Sequence, residues 1–311
     1  MMQVFKINLH LGLKPIYIGR FIAPFAIFAI AYFCQSSVAY YGLDLHHDLL
    51  MFDSARNFYF GQIPYKEFFY QYNLATVTLH AFSLFALGVK IVSLKQITVW
   101  FYSLIAVGIY LCCASQNCRR AGFMVATFWA LLSPFYMPAL NGYHPWSTVY
   151  MIAACIWGCF FITKALNQRP ILNSLLAGIL FAAAFWFKQV AAYQILAVIC
   201  WILVNMLFSW HNNSSRVLFL KVFLGFGLGG SVLSVACLGY LYKYQAINDW
   251  WQYGFLFNRY FSQDSTQHLN FFSIIRLFFP ISIELGYWSY FWAICPAIIL
   301  MLGLTFYRIY K

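Results

Sequence analysis

Four carboxylates (Asp44, Asp48, Asp53, Glu67) and two histidines (His46, His47) fall in one short stretch after the first apolar run of the chain. It reads Leu43-Asp44-Leu45-His46-His47-Asp48, then Phe52-Asp53-Ser54-Ala55-Arg56, then Gly61-Gln62-Ile63-Pro64-Tyr65-Lys66-Glu67-Phe68-Phe69-Tyr70-Gln71-Tyr72-Asn73. With only 7 Asp and Glu residues in 311, that density is informative. A carboxylate there could take a proton from an attacking hydroxyl, as a general base does. Asp44, His46, His47 and Asp48 could together ligate a divalent cation, since imidazole and carboxylate are suitable ligands. Adjacent histidines rarely both reach one ion and no distant further ligand is identifiable, so no metal is expected. A third use is plainer: carboxylates cap and solvate a loop at the membrane interface.

From Asp48 to Phe60 the spacing of Leu49, Phe52, Ala55 and Phe60 predicts a short helix with one apolar face, ended by Gly61 and then Pro64. Such a helix would lie in the interface with Asp48 at its start, where the dipole favours an anion. Lys188 closes the apolar run 180–187 and is followed by Gln189 and more apolar sequence. A lysine so placed snorkels as an anchor or pairs with an anionic lipid head group. The stretch 243–287 holds Asp249, Arg259, Asp264, His268, Arg276 and Glu284 among Trp250, Trp251, Tyr253 and Tyr260. An arginine there could hold a phosphate through two parallel hydrogen bonds, although aromatics at head-group level are common to membrane proteins. The glycines of 225–230 lie inside an apolar segment, and Gly225 and Gly229 are spaced for close helix packing, not for a phosphate loop.

The elements that must position these residues are membrane helices. The chain is 63% hydrophobic and 8% charged, and apolar runs of roughly 18 or more residues recur, the length that crosses a hydrocarbon core. The net charge of +12 would suggest nucleic acid in a soluble domain, but the basic residues are scattered singly between apolar runs and read as topology signals. The 9 cysteines show no zinc or redox spacing, and most sit inside apolar segments as small hydrophobes. Residues 20–42 are too long for a signal-peptide core and are expected to remain as the first span.

Candidate helices fall at 20–42, 73–90, 96–115, 121–140, 147–163, 171–187, 190–209, 222–242 and 288–306. If all spanned, the arginines and lysines between them would lie outside, against the excess of basic residues that orients helices from the cytoplasm. If 73–90, with Thr78 and His80, lies along the surface or re-enters, then Lys6, Lys14, Arg20, Arg119, Arg120, Lys164, Arg169, Arg216, Lys221, Arg308 and Lys311 all face the cytoplasm. The expected fold is therefore all-α and polytopic, a single transmembrane domain over 1–311 with about eight spans plus an interfacial or re-entrant helix at 73–90. Loops 43–72, 141–146 and 243–287, and Lys188, then share the external face with all the acids.

The order of an acid soon after the first helix, Ala55-Arg56, Gly61, Pro64-Tyr65, Lys66-Glu67-Phe68 and Gln71-Tyr72 resembles the first external loop of the membrane-embedded glycosyltransferases of the GT-C class. The branch it resembles is glycosyltransferase family 39, the protein mannosyltransferase-like and lipopolysaccharide-modifying enzymes that use polyprenyl-phosphate sugars. His144-Pro145-Trp146-Ser147, and Ala177-Gly178 followed by Phe185-Trp186-Phe187-Lys188-Gln189, add to the likeness, which covers roughly residues 20–200. The resemblance implies transfer of a hexosyl or pentosyl group from a polyprenyl-phosphate carrier to a glycan, lipid or protein hydroxyl, with inversion. It implies the external face of a bacterial inner membrane as the place, the lipid-linked sugar as the donor and no covalently bound cofactor. By the same resemblance Asp48 is the general-base candidate, with Asp44 and Asp53 as competitors because the register is open. Lys188, Arg259 and Arg276 would hold the lipid phosphate. His47, Glu67, Gln71, Tyr72, His144 and Trp146 would line the substrate.

The chain departs from the family pattern in three ways. It has Tyr143, His144 and Trp146 where the class tends to place an acid, and Asn73-Leu74 where relatives often show Gly-Pro. Family members usually continue through several more helices, so a chain of 311 residues is expected to be a short form or a truncated gene product. Two other function classes stay open: an inactive scaffold of the same descent, and a transporter or flippase of a lipid-linked solute. Transporters usually keep ionisable residues near the midplane and show repeated halves.

Overall fold

Helix length and apolarity decide most of the architecture. The computed structural model describes residues 15–43, 47–136, 144–209 and 212–257. These form helices α1 (Pro15–Ala39), α2 (His47–Tyr59), α3 (Leu74–Leu87), α4 (Ile91–Ser115), α5 (Arg119–Tyr136), α6 (Ser147–Ala165), α7 (Pro170–Phe187), α8 (Ala191–Phe208), α9 (Asn213–Lys243) and α10 (Ile247–Trp251), the last running into a π-helical turn at Gln252–Leu256. Six of them, α1, α4, α6, α7, α8 and α9, are long and apolar enough to cross a membrane. The protein is an all-α, multi-pass membrane protein. α3, with 14 residues, rises roughly 21 Å at 1.5 Å per residue, short of the ~30 Å hydrocarbon core. Segment 73–90 thus holds a helix too short to span. α5 has 18 residues but opens on Arg119-Arg120 and carries Pro134, and it is not among the six. The expected span at 288–306 lies outside the described residues.

Contacts between helices set their directions. Thr98 and Leu104 of α4 meet Tyr150 and Trp157 of α6 in the same order, so these two run parallel. Lys188 meets Thr148, and Gly158 faces Phe181, so α7 is antiparallel to α6. Gly225 and Gly229 of α9 face Ser174 and Leu175, and Trp186 meets Ser234, so α7 and α9 are parallel, with α8 as the return between them. In α1 and α4, Ile27 and Ala31 cluster with Ala106, Val107 and Tyr110, whereas Ala39 clusters with Val99 and Tyr102. The ends of α1, α7 and α9 and the starts of α4 and α6 therefore gather at one end of the bundle, with α2, 144–146 and α10. Of the described acids, Asp48 and Asp53 lie on α2, Asp249 on α10, and Glu67 on the connection that follows α2. That connection is tied to the same end where Lys66 Nζ donates to Tyr244 O at 3.1 Å. The other end carries Arg119, Arg120, Lys164, Arg169 and Arg216 at or beside helix ends, with Lys221 two turns into α9.

Two boundaries differ instructively from the apolar-run reading. α9 starts at Asn213, not near 222, because Asn212 Oδ1 accepts from Ser215 N at 3.2 Å and caps the helix. Arg216 and Lys221 accordingly stand on a helix instead of in a loop. α4 starts at Ile91, which brings Lys95 inside the helix.

Candidate functional site

Asp48 lies in the first turn of α2, where the dipole favours a carboxylate. Its side chain is fully buried, with Oδ2 3.1 Å from Lys95 Nζ and Oδ1 at the longer distance of 3.5 Å from His144 Nδ1. Lys95 Nζ also donates to Gly42 O at 2.8 Å, just past the end of α1. Four segments thus converge on one carboxylate. Burying two ions costs several kcal/mol each unless geometry and further hydrogen bonds offset it; the Gly42 carbonyl and the helix start supply those here. Because apolar replacements of such pairs are often neutral or stabilising, the pair is better understood as a device that holds an anion in place than as a source of stability.

Aromatic rings cover the pair. The His47 ring stacks on His144 with centroids 4.9 Å apart, and Trp146 stands 5.5 Å from His144 and 6.1 Å from His47. These rings arrive from two sides, His47 at the start of α2 and His144 and Trp146 just ahead of α6.

A second cation comes in beside them. Lys188, the residue that ends α7, donates from Nζ to Thr148 Oγ1 at 2.7 Å, four residues along the chain from His144. The end of α7 is fastened by the start of α3. Asn73 Nδ2 donates to Phe185 O at 2.5 Å and Thr76 Oγ1 to Phe187 O at 2.8 Å, satisfying carbonyls that a helix end leaves without partners. Asn73 Oδ1 in turn accepts from Trp250 Nε1 at 2.9 Å, and Gln189 Nε2 donates to the carbonyls of Gln71 and Gly254. Asn73 is fully buried and joins three elements. Asn73→Leu is expected to cost about 2–4 kcal/mol, because it strands the Phe185 carbonyl and the Trp250 indole N–H; thermal unfolding in detergent measures it.

Below the site runs a buried polar chain. His80 Nε2 is 2.8 Å from Tyr150 Oη, which is 2.7 Å from Thr98 Oγ1, and Thr98 donates to Leu94 O at 2.8 Å. Burial pushes the His80 imidazole down to about 3, so it stays neutral in the fold while the unfolded chain titrates near 6.5. Between those values the unfolded state binds the extra proton, so stability falls as the pH drops below about 6.5. Replacing His80 by Gln is expected to flatten that loss between pH 6.5 and 4, as followed by melting temperature against pH.

The structure brings together Asp48, His47, His144 and Trp146, with Lys188 joined through Thr148. It does not bring Asp53 there: that side chain is 58% exposed and pairs with Arg56 at 3.0 Å. Glu67 Oε2 accepts from Ile63 N at 2.6 Å and closes its own turn. Gln71 and Tyr72 flank a narrow crevice with Leu50, Met51, Phe69 and Tyr70, and the Tyr72 carbonyl accepts from Tyr65 Oη at 2.8 Å. Asp44, Arg259 and Arg276 lie outside the described residues. Among the described residues no group of three His, Cys, Asp or Glu side chains is arranged to hold a metal ion.

Lys95 is the residue that reading the sequence missed. It falls in the gap between the expected helices 73–90 and 96–115, and a single lysine there gives no sign of a partner 47 positions earlier. No protein-family profile matches the chain, and neither a curated protein nor a solved structure matches it.

Proposed function

We propose that this protein is a membrane glycosyltransferase of the GT-C kind, moving a sugar from a polyprenyl-phosphate carrier to an acceptor hydroxyl at the acidic end of the bundle. The observation that supports it most is the burial of Asp48 at the start of α2, held by Lys95 and His144 beneath an aromatic cover. In this reading the acceptor hydroxyl attacks the anomeric carbon, the bond from that carbon to the phosphate oxygen breaks on the opposite face, and configuration inverts. The hydroxyl proton passes to Asp48, once His47, His144 and Trp146 part to admit the sugar. Lys188 stands where a snorkelled cation meets a lipid phosphate, and it offsets the charge that develops there. Lys95 positions Asp48. The basic residues at the opposite end favour a cytoplasmic location for that end, which supports a site on the external face; in this reading the membrane is a bacterial inner membrane.

The test is transfer of radiolabelled sugar from short-chain polyprenyl phosphates to a membrane-glycan extract, with purified wild type beside Asp48→Asn. Loss of a general base is expected to slow transfer by about 10²–10⁴-fold. A folded Asp48→Asn protein that transfers normally removes Asp48 from the mechanism. A folded wild type inert with every donor removes the enzyme.

The full burial of Asp48 also favours a second reading, in which the carboxylate pins α2 to α4 in an inactive relative. Loss of a surface glycan on gene deletion, restored by an Asp48→Asn copy, would point there. A transporter is less suited, because Asp48, Lys95 and Lys188 stand at or near helix ends whereas transport sites lie at the midplane.

A further inference from the structure

At the end of the bundle away from Asp48, an open crevice of about 420 Å3 lies between α1, α4 and α5, lined by Ala23, Tyr110, Arg119, Arg120, Phe123 and Met124. We propose that it binds an anionic glycerophospholipid of the surrounding bilayer, its phosphate held by Arg119 and Arg120 and an acyl chain lying along Phe123 and Met124.

The first argument is depth. α4, long and apolar enough to span, ends at Ser115 and α5 starts at Arg119, so the two guanidinium groups stand beside the end of a spanning helix, the level of head groups. The second is chemistry on two levels at once. Each guanidinium offers five donors in a planar fork that matches phosphate oxygens, and both are exposed. One turn further into α5 the lining turns apolar, with Phe123 40% and Met124 71% exposed. A polar ligand such as free phosphate would use only the first level, whereas a lipid uses both.

The third argument is charge. The described carboxylates, Asp48, Asp53, Glu67 and Asp249, belong to the opposite end, so among the described residues none competes for these arginines. Lys164, Arg169, Arg216 and Lys221 share this end and add to the field that draws anionic lipids. Those four stand singly, while Arg119 and Arg120 are consecutive and border an apolar crevice. A general preference of basic residues for one face would treat all six alike; a built site would not.

Native mass spectrometry of the purified protein in detergent discriminates. Phosphatidylglycerol and phosphatidylcholine with the same acyl chains are added to wild type, to Arg119→Gln/Arg120→Gln and to the control Arg169→Gln/Arg216→Gln. Wild type and the control are expected to retain phosphatidylglycerol about tenfold over phosphatidylcholine, and the Arg119/Arg120 variant to lose that preference. Equal retention of both lipids by wild type, or equal loss in the two variants, would overturn the site. Displacement of the lipid by millimolar inorganic phosphate would assign the arginines to a free anion and overturn it as well. Circular dichroism of the variants checks that the fold is intact.

Discussion

Replacing Lys95 with methionine is expected to destabilise the purified protein by about 3–5 kcal/mol, the usual cost of removing one partner from a buried ion pair. Asp48 is then a buried carboxylate that has lost its lysine, with Nδ1 of His144 3.5 Å from Oδ1. The hydrogen bond to Gly42 O is lost too, but a neutral acceptor accounts for only about 1 kcal/mol, so the stranded charge dominates. The double variant Asp48→Asn/Lys95→Met removes both charges and is expected to recover most of the loss, because an uncharged pair of similar shape avoids the desolvation cost. Unfolding in detergent followed by tryptophan fluorescence reads both. A single variant as stable as wild type would show that the pair is hydrated and is not a fixed anchor. A double variant no better than the single would place the cost in lost packing of the lysine stem.

Gly178→Leu is expected to be more damaging. α7 and α9 approach backbone to backbone: a Cβ at Gly178 would overlap Phe226 O and stand 2.8 Å from Gly230 N, and one at Gly229 would overlap Leu175 O. The atoms in the way are main chain, so no side chain can swing aside and the two helices must part along their length. Overpacking commonly costs 1–3 kcal/mol where side chains can adjust; here the loss should exceed that range and remove most folded protein from size-exclusion profiles. Gly227→Ala on α9 is the control, since its added Cβ meets nothing within 4 Å. That change should be neutral or stabilising by up to about 1 kcal/mol, because alanine favours the helix. The two helices carry the end of α7 to Lys188, so their separation would also move the second cation of the site.

How much of this was readable beforehand differs by feature. The membrane class, the helices at 147–163 and 171–187 and the short helix after Asp48 were legible from apolar run length and periodicity, which are local properties set by the bilayer and by 3.6-residue spacing. The close packing at Gly225 and Gly229 was legible from small-residue spacing, although its partner α7 was not. The start of α9 was misplaced because a run of apolar residues says nothing about a cap, and Asn212 extends the helix through the polar stretch that precedes the run. Among the first-loop acids, the sequence put Asp48 first and left Asp44 and Asp53 as competitors because the register was open. Asp53 sits five residues from Asp48 on the same helix, yet it faces out and pairs with Arg56 while Asp48 faces α4.

By itself, then, the sequence determined that this protein is a helical bundle in a bilayer. Only the tertiary structure decided that Asp48 is buried, that Lys95 pairs with it, and that His47, His144 and Trp146 close over it. The reason is physical. Crossing a membrane is settled residue by residue through transfer from water to hydrocarbon. An ion pair between residues on α2 and α4, touched by a histidine 96 positions from Asp48 in the chain, exists only after packing has turned one face of a short helix inward.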